Sequence, residues 1–465
     1  MKPLFTNYAA SATDKNAVVK FLDRKPISRE VLKLSTGRDR SRLHYRCCLT
    51  FIGLFWTPVV HIRGMSDRAF ENEFSDYHPE RSDVVLTDGK WTQEFRKEIQ
   101  RHLSDLLREL ERNLAKRTDW ADSSVYTGTT GVALMYMRLS DVLQDSSYLN
   151  RALPFVERQL GNLKDRRYSF LCGDPGPLAI GADVYNRLGR SQDSHNLVKR
   201  LLSLSKYVVP ASADIPDELL YGRVGYLFAL LYVRKHVSPT AVDDSILRSV
   251  VEAVLSSGQQ LSADEKSRSP LMYQWHGSFY LGAAHGLAGI FYMLLQVRHV
   301  LSEAELSRLV RPSIDWLASL QYPSGNYPSS IGSSTDKLVH WCHGAPGTIH
   351  LLLLAHLVFK EPHYLQLAKK CAEVIWHRGI LKKGYGICHG TAGNGYAFLR
   401  MYQVTRDCKY LHRAAKFCEW CFDYGQHQCR IADRPFSLFE GMAGTIYFMA
   451  DMLEPDKSAF PAFQL

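Results

Sequence analysis

The chain has 465 residues, of which 46% are hydrophobic, 22% charged and 11% aromatic. That composition excludes a mostly disordered chain, a collagen-like one and a coiled-coil rod, and no run of 18 apolar residues offers a spanning helix. The net charge of +10 is concentrated at one end: residues 1–64 hold 12 Lys and Arg against 4 Asp and Glu, whereas 65–465 hold 45 against 43. The body is nearly neutral, so no nucleic-acid partner is expected.

Residues 1–64 show no clear helical period and read as a poorly ordered basic extension, or one missing from the main translation product. The apolar stretch 47–60 is too short to span a bilayer and too far from Met1 for a signal peptide. Residue 2 is lysine, so N-myristoylation at Met1 is excluded. A membrane-surface anchor is the rival reading of this segment, on composition alone. Ten cysteines, many inside helical patterns, suit a reducing compartment. A cytoplasmic location is expected, with the inner face of the plasma membrane as a second site.

From residue 90 a Gly-x-x-Gly pair recurs seven times: Gly128/Gly131, Gly173/Gly176, Gly222/Gly225, Gly286/Gly289, Gly344/Gly347, Gly390/Gly393 and Gly441/Gly444. Such a period marks a repeat architecture. Each pair opens a run that is apolar nearly all round, such as 132–137, 226–233, 290–295 and 349–354, as a buried helix must be. Between them lie amphipathic segments, among them 91–114, 148–163 and 364–376, with apolar residues at spacings of three and four. The pattern predicts an all-α fold: an α/α toroid over 65–465, with seven inner and seven outer helices. Its seven glycine loops gather at one end.

The residues before the first glycines are Thr127, Cys172, Tyr221, His285, His343, His389 and Glu440. Cys342-His343-Gly344 and Cys388-His389-Gly390 occupy equivalent places. Two thiols and one or two imidazoles at one mouth suit zinc, and three protein ligands leave a fourth position open. The competing reading is two buried free cysteines with capping histidines. Cys418-x-x-Cys421 falls within an outer-helix pattern and reads as structural, while His340, His350 and His356 read as packing or capping residues.

The segments 341–347 (WCHGAPG), 386–393 (GICHGTAG) and 282–289 (GAAHGLAG) resemble motifs of the LanC-like proteins, eukaryotic relatives of lantibiotic cyclases. Segments 171–174, 220–223, 438–444 and the ending 460–463 also match, so the resemblance covers about 66–465. It implies a double ring of seven helices, one zinc, and glutathione added to dehydrated Ser or Thr residues of proteins. By motif, zinc falls on Cys342, Cys388 and His389. Glutathione contacts fall on Lys383 and on Arg430, Ile431, Ala432 and Asp433, with Arg68 a further candidate. Bacterial cyclases place Tyr where this chain has His343, so the cyclase reaction is not carried over.

These residues make a coherent mechanism. Little thiolate exists at neutral pH for a free thiol, and metal coordination deprotonates it. The thiolate attacks the β-carbon of dehydroalanine or dehydrobutyrine, and His285 is the general acid that protonates the α-carbon. The resemblance implies that Lys383, Arg430 and Arg68 hold the glutathione carboxylates by charge-assisted hydrogen bonds. Asp174 and Arg223 are further catalytic candidates, or else an ion pair between neighbouring repeats. Three rivals compete: a zinc- and glutathione-binding sensor or signalling adaptor without turnover, a glycoside hydrolase on an α/α toroid, and a prenyltransferase-like subunit. The Cys/Cys/His set speaks against the last two.

Overall fold

Seven helices that begin at the Gly-x-x-Gly loops form a closed inner ring: Thr129–Leu143, Pro175–Arg187, Arg223–His236, Leu287–Gln296, Ala345–Phe359, Thr391–Thr405 and Met442–Leu453. The computed structural model describes residues 68–86, 88–116 and 121–465. The 1–64 extension and its boundary lie outside the described residues. Each inner helix packs on the next, and Met442–Leu453 returns to Thr129–Leu143 to close the circle.

Seven outer helices surround them: Gln93–Ala115, Ser147–Leu160, Ser191–Ser203, Asp244–Asp264, Arg311–Ala318, Pro362–Arg378 and Cys408–Phe422. Six of these pack on the inner helix just before them, while Gln93–Ala115, which has none before it, backs Met442–Leu453. Among the described residues the only β pairing is in isolated bridges. The all-α double ring read from the sequence is the observed fold. No described helix is long and apolar enough to cross a membrane.

Burial explains the two helix types. Every residue from Leu287 to Leu295 in the fourth inner helix is buried, because helices press on it from both sides and from behind. The outer helix Gln93–Ala115 buries only Phe95, Ile99, Leu103, Leu106, Leu107, Leu110 and Leu114, one stripe at helical spacing.

The second glycine of each pair has a steric reason. A Cβ added at Gly131, Gly347 or Gly393 would lie 2.2, 2.1 or 1.9 Å from the carbonyl oxygen six residues earlier. The loop folds back on its own helix's first turn at van der Waals distance, so no other residue fits. Hydrogen bonds then join loop to loop. Tyr126 N–H donates to Leu171 O, Phe170 to Gly225, Leu219 to Ala284, Cys342 to Cys388, Cys388 to Phe439, and Phe439 back to Tyr126. Between the fourth and fifth loops, a Cβ on Gly282 would lie 2.1 Å from Cys342 O. All seven loops therefore meet at one end.

Behind that face the interior is filled by aromatic rings. Trp341 stacks on Phe460 at 4.9 Å and meets Phe463 edge-on at 5.4 Å. Tyr292, His350 and Tyr396 complete the cluster from three inner helices. The 460–463 segment thus supports the tryptophan next to Cys342. Burial holds the His350 ring neutral, down to a pKa of about 3, and neither ring nitrogen has a hydrogen-bond partner.

Two predictions follow from this packing. Gly393→Ala should cost about 3 kcal/mol or more, because the Ile387 carbonyl cannot retreat. Gly161→Ala should be neutral or slightly stabilising, since Gly161 has φ −77° and its nearest atom would lie at 3.5 Å; urea unfolding of both variants checks the contrast. Below pH 6.5 the unfolded chain protonates His350 while the folded chain does not until about pH 3. That contribution to stability is present above 6.5 and drains away as pH falls through this window, by about 1.4 kcal/mol per pH unit. His350→Leu should flatten the acid limb of a stability–pH curve by that slope.

Candidate metal centre

Cys342 and Cys388 stand three residues before the helices Ala345–Phe359 and Thr391–Thr405, whose positive N-terminal ends face the loops. Because their loops are bonded to each other, the Cys342 Sγ, the Cys388 Sγ and a His389 ring nitrogen lie within 4.8 Å of one another. Both cysteines are buried and His389 is half-buried. Two soft thiols and an imidazole this close are a donor set that suits zinc. The three residues read as metal ligands are thus brought together.

The thiols are electrostatically unequal. A hydrogen bond from the Cys388 thiol, with further ones from His340 and His389, holds Cys342 well below the usual thiol range against the cost of burial. Cys388 is pushed up by burial and by the Cys342 charge. The half-buried Tyr126, its hydroxyl turned inward to Cys388, is also pushed far up, chiefly by desolvation. It therefore stays protonated and donates to Cys388 Sγ at 2.8 Å. Its ring stacks on Phe439 with centroids 4.7 Å apart. Neither Tyr126 nor the part played by His340 was read from the sequence. His340, taken there as a packing or capping residue, reaches the Cys342 thiol. His356 does cap, with Nδ1 3.0 Å from Glu361 O.

His285 sits in the next loop with Nδ1 2.8 Å from a carboxylate oxygen of Glu218. Glu218 is almost fully buried and also accepts from the Leu220 and Tyr221 N–H groups, at 2.8 and 2.6 Å. A carboxylate only accepts, so Nδ1 carries the proton and Nε2 is left for exchange. Tyr221, Trp275 and Tyr280 surround the ring with centroids at 6.0 Å.

The glutathione candidates converge through the backbone. Lys382 N–H donates to Arg68 O, and Arg430 N–H to Lys382 O, at 3.0 and 2.8 Å. Lys383 is close enough to depress the His343 pKa, although burial is the larger cause. Arg430 pairs with Asp433 at 2.7 Å, and Ile431 is 82% exposed on the same loop beside Ala432.

Asp174 and Arg223, the two further catalytic candidates, are both engaged in loop contacts. Arg223 is 4% exposed, and its guanidinium donates to Val208 O, Ile215 O and Asp217 within its own repeat. Asp174 accepts the N–H groups of Lys164 and Asp165 at 3.0 and 2.5 Å. Each anchors a loop, and they do not pair with each other. Cys418 and Cys421 are buried in an outer helix, with both thiols pushed up by burial.

The model of the lanthionine synthetase C-like protein family matches residues 119–465. The chain belongs to this family. Over 402 residues this LanC-like chain is 47% identical to glutathione S-transferase LANCL1 of Danio rerio, covering 86% of the chain and 99% of the relative. Its fold is similar to that of nisin cyclase, with a TM-score of 0.58 and 16% identity over 77% of the chain and 94% of the cyclase. That likeness concerns the fold alone.

Replacing Tyr126 with Phe should lower zinc affinity roughly ten- to a hundredfold by removing the donor to Cys388. Cys418→Ala should leave it unchanged. Competition with a chromophoric chelator measures both.

Proposed function

We propose that this protein is a zinc-dependent glutathione transferase that adds the glutathione thiol to dehydroalanine or dehydrobutyrine residues of proteins. The observation that carries the reading is the Cys342, Cys388 and His389 donor set, with the His285–Glu218 pair in a nearby loop of the same face. The name of the 47% identical relative supports the transferase class and the glutathione. Cys342, Cys388 and His389 would hold a zinc ion, and bound there it would supply a Lewis acid that lowers a thiol's pKa into the neutral range.

The chain's own residues do the rest. Cys342, Cys388 and His389 would hold the metal, with Tyr126 and His340 orienting the thiols. Lys383, Arg68 and Arg430 hold the glutathione carboxylates, Arg430 competing with its own Asp433. When sulfur bonds to the β-carbon, electrons move onto the carbonyl and the α-carbon takes a proton. His285 delivers it, and Glu218 fixes the ring's tautomer and steadies its charge. The free cysteines among the described residues fit a cytoplasmic location.

His285→Gln should slow addition to a dehydroalanine peptide by roughly 10²–10⁴-fold while keeping zinc and glutathione bound. Glu218→Gln should slow it less. Single-turnover rate, zinc content and glutathione affinity measured on one preparation decide. A wild-type protein that binds zinc and glutathione yet modifies no dehydroamino-acid peptide would be the non-catalytic sensor.

A further inference from the structure

Beside the thiol cluster lies a cleft of about 690 Å³. Tyr126, Cys172, Tyr221 and Glu440 line it, so it opens on the loop face and shares Tyr126 with the candidate metal centre. Lys164, Arg166, Arg167 and Arg434 also line it, and all four are exposed.

Three carboxylates, Asp122, Asp174 and Glu440, also line the cleft, and none of them forms an ion pair with these four cations. Asp122 accepts from Thr127 Oγ1 and Ser124 N–H at 2.7 and 3.0 Å, and feels Arg434 only through its field. Asp174 is taken up by the Lys164 and Asp165 N–H groups, a contact that holds the 164–167 turn with its cations outward. Asp165, between them in sequence, reaches Arg200 instead. Arg167 lies over the Tyr221 ring at 5.1 Å, so the rim is organised. Elsewhere the barrel matches its arginines closely: Arg138 with Asp451 at 2.5 Å, Arg187 with Asp183 at 2.8 Å, Arg413 with Asp76 at 2.6 Å.

A cleft rimmed by four exposed cations free of close ion pairs, next to the candidate metal centre, attracts an anionic partner and sets its register. We propose that it docks the polypeptide substrate, and selects dehydroamino acids flanked by carboxylate or phosphate side chains. The proposal rests on the transferase reading. Glutathione is the other anion at this face, but its candidate cations Lys383, Arg68 and Arg430 do not themselves line this cleft.

The test uses the full chain with zinc and saturating glutathione. Three dehydroalanine peptides are compared, flanked by glutamates, by phosphoserines or by glutamines. The two anionic peptides should show the lower KM, and added salt should abolish the difference. Arg166→Glu/Arg167→Glu, two exposed positions whose folding is checked by thermal melting, should raise the anionic KM values roughly tenfold or more. The KM for glutathione and the kcat for the glutamine peptide should not change. Equal KM values for all three peptides would overturn the proposal, as would a rise confined to the glutathione KM. If no peptide turns over, the transferase reading fails first. Fluorescence anisotropy of unreactive, alanine-containing versions then still decides: binding of the anionic versions lost in the double variant supports the cleft, and absence of binding overturns it.

Discussion

The structure depends on seven backbone contacts too close for any side chain. At each repeat the second glycine lets the loop lie against its own helix, 1.9–2.2 Å from where a Cβ would meet a carbonyl oxygen. In that position six of the seven neighbouring loop pairs are joined by hydrogen bonds and the fourth and fifth by the Gly282–Cys342 contact, the circle being completed when Phe439 N–H reaches Tyr126 O. The candidate site is a by-product of this closure. Cys342 and Cys388 are adjacent because Cys342 N–H donates to Cys388 O, a backbone bond that needs neither thiol. A toroid built this way presents seven variable positions around one mouth, and different chemistries need only different residues before the glycines.

Polarity is divided along the axis. The face carries thiols, imidazoles and cations. Behind it, Trp341, Tyr292, Tyr396, Phe460 and Phe463 fill the interior with rings. Water is excluded from below the thiols, which strengthens every charge interaction above. The lowered Cys342 and the raised Tyr126 both arise there: the donors from Cys388, His340 and His389, rather than solvent, hold the Cys342 thiol down.

What was legible in the sequence was whatever repeats. The glycine period and the apolar runs after it define the ring, and the Cys-His-Gly pairs stand out because they fill the same column. What was hidden depends on partners remote in sequence. Tyr126 meets Cys388 across 262 positions and Glu218 meets His285 across 67, and neither spacing leaves a trace in either segment. Arg223 follows a mouth-facing glycine, and its guanidinium is held by Asp217 and two carbonyls, partners that no local pattern reveals. His340 looked like packing because no rule of spacing says which side of an apolar helix start faces a thiol.

The first outer helix has a different kind of consequence. Gln93–Ala115 rests on Met442–Leu453, and Arg96 donates to Leu453 O across 357 positions. During synthesis its apolar stripe emerges from the ribosome long before its partner exists. For most of translation this helix has nowhere to dock, and the loop ring lacks the Phe439 bond that closes it. Contacts of such sequence separation form late, because the entropy of closing so long a loop comes before any reward. A nascent chain stalled before residue 442 would thus hold both cysteines on an open crescent, its first helix an exposed hydrophobic surface for chaperones to shield.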